Sequence, residues 1–140
     1  MKEIIVIIFA NFLAPSLRSQ EILPAKLMAA FTSSRKEHVN IDIRNTTTDK
    51  LFYMVGVERL TDTGWSVLAG NINSIGEKEI LFLKPLLPGV SARETLSIKK
   101  IRYHFPKYNI TQLRFFAVCY KKQDWDSAFM EVETMPLKLR

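Results

Sequence analysis

The stretch from Val39 to Trp65, "VNIDIRNTTTDKLFYMVGVERLTDTGW", decides the fold. Its first seven residues alternate: Val39, Ile41 and Ile43 fall on one face of an extended chain, and Asn40, Asp42 and Arg44 on the other. Successive side chains of a strand point to opposite faces, so this pattern describes a half-buried strand. "NTTTDK" then supplies turn chemistry. In "LFYMVGVERL", Leu51, Tyr53, Val55 and Val57 share one face while Phe52 and Met54 share the other. That strand is expected to be covered on much of both sides, with Gly56 marking a bulge or a close approach. Asp62-Thr63-Gly64 between two strand-like runs is a hairpin signal, and Trp65 follows it directly.

Working outward, the chain continues as short apolar runs punctuated by turns. "KEILFLKP" reads as a strand ended by Pro85, and Pro88-Gly89 as a type II turn. "ARETLSIKKIRYHF" reads as extended, with Leu96 and Ile98 alternating against Thr95, Ser97 and Lys99. "QLRFFAVCYKK" is the strongest strand signal, rich in aromatic and β-branched side chains, and "SAFMEVETMPLKL" alternates after it. Residues 22–31 carry good helix formers, and the context favours a first strand there. About seven strands with regularly spaced turn signals indicate an all-β antiparallel sandwich. The absence of a βαβ pattern argues against a parallel sheet.

The order "VNIDIRNTTTDKLFYMVGVERLTDTGW", "LKPLLPGVSARETL" and "LRFFAVCY" resembles bacterial immunoglobulin-like domains over about residues 37 to 133. Those families carry a strand ending in Asn, then an "xxVExLxDxGWxxL" strand, a "LxPGxS" turn and a closing strand of "YRF" type. Leu113 replaces the usual Tyr before Arg114-Phe115, and the paired cysteines of antibody domains are missing. The resemblance implies an immunoglobulin-like sandwich in which Val39, Ile41, Val55, Trp65 and Phe115 fill the space between two sheets.

The 140 residues fit one domain after a leader. Ile4 to Leu13, "IIVIIFANFL", is too short to span a bilayer and suits the apolar region of a signal peptide. Lys2 supplies the positive end, and cleavage is expected after Ser16 or Ser19. The second bond leaves Gln20 first, which resembles leaders of exported proteins in Gram-negative bacteria. Residues 1–19 are thus expected to be a signal peptide and 20–140 the mature domain, expected to be periplasmic, outer-surface or secreted with no integral membrane span. A leader retained as an anchor is the competing expectation.

The net charge of +6 comes from Lys and Arg scattered singly or in pairs, which argues for a solvated basic surface and against a nucleic-acid groove. Cys119, the single cysteine, sits in an apolar run and reads as core filler. Asn45-Thr46-Thr47 and Asn109-Ile110-Thr111 match the glycan acceptor pattern, which matters only in a eukaryotic secretory route.

No catalytic pattern, cofactor motif or metal-ligand spacing is found. His38 and His104 are far apart in sequence, and neither "GxSxG" nor a Gly-rich phosphate loop occurs. Asp124 and Asp126 flank Trp125 in a polar segment that reads as a solvated turn. The expected function is a non-catalytic cell-envelope binding module whose partner is another envelope protein or a glycan. Tyr103, His104, Phe105, Tyr108 and Trp125 are the candidate contact residues. The alternative is a small enzyme processing envelope polymer, or an accessory domain of one, which needs a carboxylate pair such as Asp124 and Asp126 in a cleft.

Overall fold

The computed structural model describes residues 25–77 and 82–139. The leader, with both candidate cleavage points, lies outside the described residues. The elements run β1 (Ala25–Phe31), β2 (His38–Asn45), β3 (Leu51–Thr61), β4 (Gly64–Ala69), β5 (Lys84–Leu86), β6 (Ser91–Ser97), α1 (Ile98–His104), β7 (Gln112–Tyr120), β8 (Ala128–Glu133) and β9 (Leu137–Lys138). Short 3-10 turns cover Ile72–Ser74 and Trp125–Ser127.

The strands form two antiparallel sheets. One has the order β1-β2-β6; the other has the order β4-β3-β7-β8, with β5 pairing β3 and β9 pairing β7. One apolar cluster joins the sheets, combining Val39, Ile41 and Ile43 of β2 with Tyr53, Val55 and Val57 of β3 and Leu113, Phe115 and Cys119 of β7. These are the alternate residues of each strand, so period-two patterning builds the sandwich core. Cys119 is buried as core filler, and burial pushes its thiol up to about 12.

The outer faces differ. On the smaller sheet, Asp42 and Arg93 sit opposite each other and form two hydrogen bonds of 2.7 and 3.0 Å. The Arg93 guanidinium holds the Asp42 carboxyl below its usual range. On the larger sheet the outer face buries Phe116, Val118 and Tyr120 with Leu83. Gly56 belongs to this face: a Cβ built there would meet the Phe116 ring at 2.2 Å, so the expected close approach is found. A register shift also lies beside it, between Val57 and Glu58.

Polar side chains fasten the sandwich. Asn45 is fully buried and uses its whole hydrogen-bonding capacity. Its amide donates to Asp49 and Leu86 carbonyls at 2.7 and 2.9 Å, and its oxygen accepts from Thr47 N–H and Oγ1 at 2.8 and 2.7 Å. Glu94 of β6 receives Lys84 Nζ from β5, Asn73 Nδ2 at 3.0 Å and the Tyr53 hydroxyl at 3.5 Å. One buried carboxylate therefore ties the small sheet to the large one.

Three expectations are corrected. "LSIKKIRYHF" does not stay extended: Ser97 caps α1 by accepting from Lys100 N–H at 3.2 Å, and Ile98 and Ile101 are buried one turn apart. Pro85 does not end a strand but sits inside β5 opposite Phe52, where an edge strand tolerates the missing N–H. Residues 78–81 of that expected strand lie outside the described residues. Trp65 is no core filler. It pairs with Leu60 and lies on the outer face, with the Arg114 guanidinium 4.5 Å from its ring centre.

Candidate functional site

The β6-to-β7 connection places the aromatic candidates. Phe105 follows α1, is half-buried, and packs against the main core, so it anchors the turn rather than offering a contact surface. Its ring stacks on Tyr108 with centroids 6.3 Å apart. Tyr108 remains 46% exposed and Tyr103 77% exposed. The His104 ring meets Tyr103 edge-to-face at 5.0 Å, and it lies so close to Gly76 that a Cβ there would clash at 2.6 Å. Gly76 also has φ +79°, a conformation that suits glycine. The last turn of α1 and the anchored turn after it thus present Tyr103 and Tyr108 to solvent.

Trp125 lies elsewhere. It begins the 3-10 turn after β7, whereas Tyr103 to Tyr108 precede β7. At about 3.3 Å per residue, this nine-residue strand separates the two groups by roughly 25 Å. Trp125 is 45% exposed and meets Tyr120 edge-to-face at 5.6 Å. The five candidates therefore form one cluster and one outlier.

Beside Tyr108 is a cleft of about 600 Å³ between the β3–β4 hairpin and the α1–β7 turn. Arg59, Asp62, Lys107, Tyr108, Asn109 and Thr111 line it. Arg59 lies over the Tyr108 ring at 3.8 Å from the centroid, a cation–π contact that fixes both groups. The hairpin is set by Gly64 at φ +127° and by Thr61 Oγ1 donating to Gly64 O at 2.7 Å. Arg59 and Lys107 were not among the candidates. Lys107 stands between the candidate aromatics Phe105 and Tyr108 in "RYHFPKY", a signal legible in the sequence, whereas Arg59 reaches the site only through β3–β7 pairing.

The carboxylates are arranged otherwise. Asp124 accepts from Asp126 N–H at 2.9 Å and so caps a short exposed turn. Arg114 is held by Glu58 at 3.0 Å and Glu133 at 3.4 Å. Near them Glu131 is buried, and burial, with Glu133 and Glu58 adding repulsion, raises its carboxyl to about 7. Among the described residues no group of three or more His, Cys, Asp or Glu converges to hold a metal ion. Among the same residues no helix is long and apolar enough to cross a membrane. No family model matches the chain, and no curated protein matches it.

Proposed function

We propose that this chain is an exported, non-catalytic binding module of immunoglobulin-like fold that engages another envelope protein or a glycan through the end of the sandwich bearing α1. The orders β1-β2-β6 and β4-β3-β7-β8 support an immunoglobulin-like arrangement by matching A-B-E and C′-C-F-G, and the strand D that pairs with E in constant-type domains has no counterpart in the β1-β2-β6 sheet. The apolar leader supports export.

The observation that carries the binding reading is the pair Tyr103 and Tyr108, the first exposed on α1 and the second on the following turn, which Phe105 roots in the core and Arg59 braces. Aromatic rings presented on a rigid scaffold give large contact area at small entropic cost, and their faces stack on sugars and on protein side chains alike. The adjoining polar cleft supplies hydrogen-bonding groups.

The test compares the mature wild type with Tyr103→Ala/Tyr108→Ala on arrays of envelope glycans and by affinity measurement against envelope proteins. Circular dichroism checks that the sheets persist. Binding lost in the double variant and kept in Trp125→Ala is the expected result. Equal binding by the double variant and the wild type contradicts the proposed site.

A further inference from the structure

We infer that a second cleft at the same end of the sandwich is a receptor for a phosphate group carried on a sugar, an inference that rests on the binding-module reading and names its ligand class. The cleft, of about 580 Å³, lies between the β1–β2 loop and α1. Arg35, Lys36, His38, Lys99 and Arg102 line it, and among the described residues Glu37 is its one acidic lining residue.

The arrangement is built by the backbone. Lys36 has φ +56°, a left-handed conformation that non-glycine residues adopt only where the surrounding structure holds them. Its ammonium is committed, donating to Lys138 O at 3.1 Å and lying over the Phe31 ring. The loop is tied to α1 where Ile98 N–H donates to Glu37 O at 2.9 Å. Lys99 and Arg102, three residues apart, share one face of α1. Three further cations, Arg35, Lys99 and Arg102, thus line the cleft together with His38, and none of the three forms an ion pair among the described residues.

Gathering these cations with Glu37 alone of opposite sign among the described lining residues is unfavourable, and a bound anion offsets that repulsion. Two guanidinium forks match the paired oxygens of an oxyanion, and three permanent cations suit a dianion better than a single carboxylate. The cleft volume falls in the range of small-molecule sites, which leaves room for more than the anion. It also adjoins the tyrosine cleft. Leu139, which lines the cationic cleft, donates its N–H at 2.9 Å to the carbonyl of Thr111, which lines the other. A phosphorylated sugar seated here lies next to the polar cleft lined by Asp62, Asn109 and Tyr108.

The test titrates the mature protein with glucose 6-phosphate, inorganic phosphate, glucose and vesicles containing phosphatidic acid, followed by backbone amide NMR at low ionic strength. Glucose 6-phosphate is expected to shift amides in 35–38 and 97–102, and to bind more tightly than inorganic phosphate. Arg35→Gln/Arg102→Gln is expected to weaken it at least about tenfold, while Lys121→Gln/Lys122→Gln, beyond the far end of β7, leaves it unchanged. Equal weakening in both double variants, shifts spread over all basic residues, or capture of vesicles but not of glucose 6-phosphate overturns the inference. So does inorganic phosphate binding as tightly as the sugar phosphate. If Arg35→Gln/Arg102→Gln retains the partner binding that Tyr103→Ala/Tyr108→Ala loses, this inference fails while the binding-module reading stands.

Discussion

The Arg59 guanidinium lies 3.8 Å from the centre of the Tyr108 ring, so the end of β3 and the turn before β7 are joined by a charge resting on an aromatic face. Such contacts contribute about 0.5–1 kcal/mol at exposed sites. Arg59→Ala is expected to lower stability by about that amount and to accelerate amide hydrogen exchange at Tyr108 and Asn109. Arg59→Lys should recover part of the loss. Exchange that is unchanged in Arg59→Ala would show that Phe105 alone fixes the turn.

Glu94 makes a sharper prediction because it is buried and its partners come from both sheets. Glu94→Ala strands Lys84 and leaves Asn73 and Tyr53 short of an acceptor. Removing one member of a buried pair costs about 3–5 kcal/mol, and the partial exposure of Lys84 lowers this to about 2–4 kcal/mol. Glu94→Gln keeps an acceptor for Asn73 and should cost less. Urea denaturation of the two variants measures the difference.

Asn45 illustrates a sequence motif put to structural use. Asn45→Ala removes four hydrogen bonds from a site with no exposure, and a loss of roughly 2–4 kcal/mol is expected by denaturation. The same burial closes Asn45-Thr46-Thr47 to glycan addition on the folded chain, whereas Asn109 is exposed. Peptide mass spectrometry after incubating the folded protein with an oligosaccharyltransferase should find any glycan at Asn109 and none at Asn45.

Glu131 sets a pH dependence. Burial raises its carboxyl from 4.5 to about 7, so between these values the folded chain holds a proton that the unfolded chain releases. Stability from this group is full below pH 4.5 and is lost as pH rises through 7, by about 3 kcal/mol at most. Glu131→Gln should flatten this part of the stability curve. An unaltered curve in the variant would assign the slope to another group.

Much of the sandwich is legible in the sequence because burial on one face imposes strict alternation, as Val39, Ile41 and Ile43 show. Trp65 was misplaced because its face depends on register: the two-residue turn puts it opposite Leu60, which shares parity with Glu58 and the outer face. The helix was missed because Leu96 and Ile98 continue the strand period into α1. The helical signal was Ser97 as cap with Ile98, Ile101 and Phe105 at helical spacing. The cationic end was invisible for a different reason. Lys99, Arg102 and Lys107 lie in one segment, but Arg35 and Arg59 are far from it in the chain, and only strand pairing and loop closure bring them to the same end.

The claim that the α1 end is the binding surface is tested most directly by site-specific photocrosslinking in cells. A benzophenone amino acid is placed at Tyr103, Tyr108 or Trp125, one position per variant. Crosslinked adducts from positions 103 and 108, with none from 125, are the predicted result. Adducts confined to position 125 would contradict the account.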